Sequence, residues 1–229
     1  MNQPDHSTAL PARDAYRLWA PRYDAENAVT VLEQRAAGEL TPPLAGRALL
    51  DAGCGTGRRL AGVNGARLVV GVDLVPAMLA AGRLHRPAGP PLAAADVTAL
   101  PLRAVFFDVV WCRLVAGHVR ALDALYRELA RVARPGAAVV VTDFHPAAAR
   151  AGHSRTFRDE EGNVRTIEHH VHEPEDHERA AAAAGLALDA RIDAAVGPDV
   201  RPFYERAGAL DRYRAQRGLP LVLALRFTR

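Results

Sequence analysis

The chain has 229 residues, 49% of them hydrophobic and 24% charged, with 29 basic residues against 26 acidic ones and a net charge of +3. That length suits one or two domains with a sizeable core, and the composition excludes wholesale disorder and gives no charge excess that would point to a nucleic-acid partner. All 29 cations are arginine, which excludes Schiff-base chemistry, a pyridoxal-phosphate anchor and the lysine of a P-loop.

Residues 1–12 are polar, contain Pro4 and Pro11, and read as a loose tail. The pattern from Asp14 to Gly38 suits helix interrupted at Pro21, and Thr41-Pro42-Pro43 breaks the chain. Ala48-Leu49-Leu50 then forms a short apolar run ending in Asp51 and a glycine loop, and strand and helix alternate from there on. Leu68–Val72, Leu92–Ala95 and Val105–Trp111 read as strands, Pro76–Leu84 and Leu122–Ala133 as helices. Pro135-Gly136 is expected to stop the second helix before a strand over Ala137–Thr142. Strands alternating with helices imply a mostly parallel sheet with both faces covered, and ligands gather at the carboxyl ends of such strands. Asp51, Asp73, Asp96 and Asp143 all fall at or just after strand ends. Beyond Asp143 the spacing predicts a hairpin of Thr156–Arg158 with Val164–Ile167, a helix from Pro174 to Ala184, a strand over Leu186–Ile192, helix from Phe203 to Gln216 and a last strand over Leu219–Phe227.

The central signal is Asp51-Ala52-Gly53-Cys54-Gly55-Thr56-Gly57, three glycines at alternate positions between a strand and a helix. Arg58 stands where a dinucleotide-binding G-x-G-x-x-G needs a small residue, so a pyrophosphate reader is disfavoured. Four further stretches accompany the loop: Val69-Val70-Gly71-Val72-Asp73, Ala95-Asp96-Val97, Phe107-Asp108-Val109-Val110-Trp111 and Arg131-Val132-Ala133-Arg134-Pro135-Gly136-Ala137. Together, over about residues 47–143, they resemble the class I S-adenosylmethionine-dependent methyltransferases. That resemblance implies a Rossmann-like α/β fold with a mostly parallel seven-stranded sheet, an antiparallel last strand and helices on both faces. It implies S-adenosyl-L-methionine as cofactor and S-adenosyl-L-homocysteine as product. Asp51 would hold the methionine end, Asp73 the ribose hydroxyls and Asp96 the adenine amine; Leu74 would touch the adenine, and Gly53, Gly55, Gly57, Met78, Val97 and Cys112 would complete the cofactor site.

The segment Tyr16-Arg17-Leu18-Trp19-Ala20-Pro21-Arg22-Tyr23-Asp24 resembles the opening of the ubiquinone/menaquinone methyltransferase-like group. This divides the chain into a helical lid over 1–40, with Tyr16 and Tyr23 against the cofactor, and a methyltransferase domain over 41–229 with an acceptor-binding insert near 144–172. Trp19, Phe157, Phe203 and Tyr204 are the candidates for stacking on a flat acceptor.

An acidic nucleophile needs a base, and histidine is the default. His118 follows the fourth strand, His145 follows the fifth, and in Glu168-His169-His170-Val171-His172 an extended chain puts His170 and His172 on one face with Glu168. No tight spacing marks a metal site. No amine-methylating Asn-Pro-Pro-Tyr motif follows the fourth strand, and no dense basic stripe is visible. The expectation is therefore a small, aromatic metabolite of secondary metabolism, methylated on carbon, oxygen or nitrogen, an indole carbon among them, by a monomer or homodimer. An RNA or protein methyltransferase and a non-catalytic cofactor-binding module are the alternatives. The cysteines Cys54 and Cys112 fit a reducing cytoplasm, and no apolar stretch reaches membrane-spanning length. The first twenty residues lack the apolar core of a signal peptide.

Overall fold

The structure, a computed structural model, describes residues 9–229; the tail read over 1–12 falls mostly outside that range. Nine strands are formed: β1 (Ala48–Ala52), β2 (Leu68–Asp73), β3 (Leu92–Ala94), β4 (Phe107–Arg113), β5 (Ala133–Phe144), β6 (Thr156–Arg158), β7 (Val164–Thr166), β8 (Ala187–Ala195) and β9 (Pro220–Thr228). Eight α-helices connect them: α1 (Ala12–Trp19), α2 (Ala28–Leu40), α3 (Pro76–His85), α4 (Leu122–Val132), α5 (Pro146–Arg150), α6 (Pro174–Ala183), α7 (Arg201–Arg206) and α8 (Leu210–Gln216). Seven strands make one sheet in the order β3-β2-β1-β4-β5-β9-β8. Strands β1 to β5 run parallel, and β9 runs antiparallel to both β5 and β8. The pair β6-β7 is a separate hairpin.

Side chains alternate across the sheet with a period of two. Leu49, Val109, Val140 and Ala224 face α2 and α3, packing with Ala36, Ala37, Leu40 and Leu79. Their neighbours Leu50, Val110, Val139, Val141 and Leu223 face α4 and α6, packing with Leu125, Leu129 and Ala181. Strands buried on both faces read as continuous apolar runs, as β1 and β4 do.

Four expectations need correction. Strand β5 starts at Ala133, before Pro135, because Ala133 already pairs with Phe107 and proline drives its predecessor Arg134 into extended backbone. Val105 is not in β4; it turns with a φ of 55° and stands half exposed. The helix expected over Phe203–Gln216 is broken at Gly208, whose φ is 61°, into α7 and α8. The lid expected over residues 1–40 is two things. Helix α1 and the turn Ala20–Arg22 pack against α3 through Ala20, Val75 and Met78, whereas α2 is a core layer, opened by a capping box between Asn27 and Thr30. Among the described residues no helix is long and apolar enough to cross a membrane.

Candidate active site

Strand order reverses at β1, which lies between β2 and β4, so the carboxyl ends of these three strands open a crevice. The glycine loop forms its floor. The amides of Gly53 and Cys54 both donate to the Val72 carbonyl, at 2.7 and 2.9 Å, tying the loop to the end of β2. Gly53 and Gly55 have φ of 85° and 61°, backbone that side-chain-bearing residues rarely adopt. A Cβ on Gly53 would collide with the Val115 side chain, and one on Gly55 would press on Met78 and Tyr23 at 3.2 and 3.3 Å.

The crevice is a cavity of about 330 Å³. Gly53, Gly55, Asp73, Leu74, Met78, Asp96, Val97 and His118 line it, with Tyr16 of α1 and Tyr23 beside them. Asp73 spends one acceptor position of each oxygen on the backbone, from Gly55 and Val75 at 2.8 Å each, which leaves lone pairs on both oxygens for two adjacent hydroxyls. Asp96 receives the amide and hydroxyl of Thr98 on one oxygen. Leu74 is 47% exposed, a large apolar side chain displayed at the mouth.

Asp51 does not line this cavity. It is fully buried in β1, and neither carboxylate oxygen has a hydrogen-bond partner among the described residues. Burial pushes its pKa up to about 6, against the pull of Arg59 and Arg113. Those arginines belong to a buried cluster that sequence reasoning missed. Arg113 grips Glu33 with two bonds of 2.7 and 3.0 Å, Arg59 approaches the same carboxylate at 3.1 Å, and Thr142 donates to it at 3.0 Å. The paired arginines hold Glu33 down to about 2 although burial opposes this. Arg113 also lines the cavity, so two guanidinium groups and two carboxylates lie under and beside the glycine loop.

A second cavity, of about 480 Å³, adjoins the first, and Tyr16, Tyr23 and Leu114 line both. Trp19, Phe144 and Tyr204 give it an aromatic wall, and His153 and Arg155 are further lining residues absent from the sequence expectation. Trp19 is stacked between Tyr16 and Phe157, with ring centroids 5.7 and 5.5 Å apart. Phe157 is thus a buried prop for Trp19 outside the second cavity. Phe203 carries the Arg206 guanidinium on its ring and lines neither cavity.

Of the four histidines expected to act as bases, only His118 reaches the site. Its Nε2 is 3.0 Å from the Tyr16 hydroxyl and 2.8 Å from the Arg155 guanidinium, and its Nδ1 is 3.3 Å from the Glu168 carbonyl. Arginine only donates and a carbonyl only accepts, so Nδ1 carries the proton and Nε2 accepts. Burial and the Arg155 charge push this imidazole down to about 3, so it stays neutral. Burial raises the Tyr16 phenol, which stays protonated.

The other three stand elsewhere. His145 caps α5, its Nδ1 accepting the Ala147 amide at 3.1 Å, while Nε2 lies 3.4 Å from Asp193. His172 meets the Val119 carbonyl at 2.9 Å, and the backbone of His170 donates to the Gly117 carbonyl. On the opposite face His169 packs edge-on against Phe144, while Val171 is exposed. The register of this segment is set by pairing of Ile167 and Glu168 with Leu10, a partner remote in sequence. Cys112 lies in the core, and Gly57 packs under Leu92 away from the main cavity.

The sequence profile of the family described as "Methyltransferase domain" matches residues 50–141. A demethylmenaquinone methyltransferase of Roseiflexus sp. (strain RS-1) is 36% identical over 164 residues, covering 66% of this chain and 68% of that protein. A malonyl-[acyl-carrier protein] O-methyltransferase of Enterobacter lignolyticus is 36% identical over 133 residues, covering 56% of this chain and 51% of its own length. The chain spans about half the length of several such curated relatives. Among solved structures, an S-adenosylmethionine-dependent methyltransferase of Mesorhizobium loti superposes with a TM-score of 0.68 at 24% identity, over 86% of this chain and 98% of that one. Profile, relatives and sheet order agree: the chain belongs to the class I S-adenosylmethionine-dependent methyltransferases.

Proposed function

We propose that this chain transfers the methyl group of S-adenosylmethionine to a small, flat, largely apolar acceptor held in the second cavity. The observation that carries the reading is the meeting of two cavities at Tyr16, Tyr23 and Leu114, one floored by side-chain-free glycine loop and the other walled by aromatic rings. The residues of the first fit the family's cofactor. The diol of its ribose suits the two half-used oxygens of Asp73, and its adenine suits Leu74 and Val97 with Asp96 for the amine; outside the lining, two residues before Gly53 of the floor, the buried partnerless carboxylate of Asp51 suits its ammonium. Arg113 at the cavity wall spends its Nε and Nη2 on Glu33, which leaves Nη1 as a donor for the cofactor's carboxylate. When bound, the cofactor supplies an electrophilic methyl group on a sulfonium.

The chain's own residues orient the acceptor and keep water out. Tyr16 and Tyr23 form the partition between the cavities, and Trp19, propped by Phe157, closes the lid side. His118, a neutral acceptor, fixes the Tyr16 hydroxyl. Neither group is tuned as a strong base near neutral pH. The site therefore suits a nucleophile that is already competent, an electron-rich ring carbon or an ionised oxygen, rather than one that must first lose a tightly held proton. The test is transfer of labelled methyl from S-adenosylmethionine to a panel of small aromatic acceptors. Tyr204→Ala is expected to raise the acceptor KM at least fivefold while leaving the affinity for S-adenosylhomocysteine within twofold; transfer confined to RNA or protein would refute the reading.

A further inference from the structure

We propose that the methyl acceptor carries a carboxylate and that Arg212, in the lining of the second cavity, holds it, an inference that rests on the two-cavity reading above. No aspartate or glutamate lines this cavity, yet two arginines do. The charge of Arg155 is already spent: it faces Asp143 at 3.3 Å, donates to the Leu114 carbonyl at 2.9 Å and serves His118 at 2.8 Å. Arg212 is different. It stands exposed on α8, and among the described residues no carboxylate lies within 4.0 Å of it, whereas its neighbour on the same helix, Arg214, pairs with Asp211 at 2.7 Å. An arginine turned to a cavity without a counter-ion is a ready partner for a planar oxyanion.

A second donor stands beside it. The Gln216 side-chain nitrogen is 2.9 Å from His153 Nε2, and the Gln216 side-chain oxygen is 2.9 Å from the Tyr204 hydroxyl, an orientation in which the amide donates to the ring nitrogen. With the amide so placed, His153 Nε2 accepts and its Nδ1 bears a proton. Burial, and then the nearby Arg212 charge, disfavour the His153 imidazolium. One guanidinium and one neutral N–H balance a single negative charge, so they match a carboxylate better than a dianionic phosphate. The lining also holds no carboxylate through which a divalent ion could carry a phosphate. With Trp19, Phe144 and Tyr204 along the wall, the ligand class is an aromatic or flat apolar acid, gripped by its carboxylate while its reactive edge reaches the partition at Tyr16 and Leu114.

The experiment is calorimetry on the whole chain saturated with S-adenosylhomocysteine, after that ligand's own binding has been measured. The probes are indole-3-acetate, the neutral indole-3-acetamide and 3-indoxyl phosphate, with wild type, Arg212→Gln and Arg212→Lys. The expected result is at least tenfold tighter binding of the acid than of the amide in wild type, a preference reduced to within twofold in Arg212→Gln and partly kept in Arg212→Lys. Equal binding of acid and amide, or a preference that survives Arg212→Gln, overturns the proposal. Tighter binding of the phosphate than of the acid overturns the assignment to a carboxylate. Failure of S-adenosylhomocysteine to bind at all strikes the two-cavity reading itself, and is seen before any probe is added.

Discussion

Replacing Asp51 by Asn separates what this carboxylate costs the fold from what it gives the cofactor. Its pKa rises from an ordinary 3.8 to about 6. At about 1.4 kcal/mol per pH unit, holding it ionised costs the ligand-free fold about 3 kcal/mol. The unfolded chain ionises Asp51 near pH 4 and the folded chain near pH 6, so this penalty grows as pH rises through that window and is constant above it. Asparagine removes the charge but still buries an amide, which retains about 1–3 kcal/mol of the penalty. The variant should therefore gain about 1 kcal/mol in urea unfolding at pH 8 and less at pH 5. Binding should move the other way. An ammonium facing Asp51 requires the ionised form, so wild-type affinity for S-adenosylhomocysteine should fall about fourfold from pH 7.5 to pH 5.5. Loss of one charged contact, about 1.5–3 kcal/mol, should weaken the variant at least tenfold and leave its affinity flat over the same range. Calorimetry at three pH values measures both. Unchanged affinity in the variant, together with pH-independent binding in wild type, would refute the placement of the ammonium at Asp51.

Gly53→Ala should lose at least tenfold in S-adenosylhomocysteine affinity, because its φ of 85° strains alanine and the new Cβ meets Val115. Gly136→Ala is the control: its φ of 76° carries a similar strain, but nothing lies within 4 Å of the added Cβ, so stability should fall by about 1–2 kcal/mol with affinity unchanged, as paired denaturation and titration would show. Glu33→Gln strips the counter-charge from two buried arginines and should destabilise the chain by about 3 kcal/mol or more in urea unfolding at pH 7. Because Glu33 is held down to about 2, its stabilisation is complete above pH 4.5 and is lost as pH falls toward 2; the variant's deficit should shrink over that range.

The cofactor side of the site was legible because its demands are local. A loop that must turn with positive φ and keep side chains away needs glycines at set spacings, and an acceptor at a strand tip must follow the apolar run directly, as Asp73 does. The alternation of buried strands and helices likewise revealed most of the sheet. What stayed hidden depends on residues far apart in sequence. Glu33 on α2 reads as one more charge on a helix until Arg113, 80 residues on, is seen against it. Arg155 and Arg212 are two arginines among 29. The placement of the histidine run depends on a bridge from Leu10 to Ile167, a partner more than 150 residues away that no local pattern announces. His145 shows the converse: a strand-end position suits a base and a helix cap equally, and the Ala147 amide decides it.

Titrating ligand-stripped wild-type chain with S-adenosylhomocysteine and, separately, with a nicotinamide dinucleotide asks most directly what the crevice at β1, β2 and β4 holds. Saturable one-site heat with the first and none with the second is the predicted outcome. Heat with the dinucleotide and silence with the nucleoside thioether would contradict the account at its root.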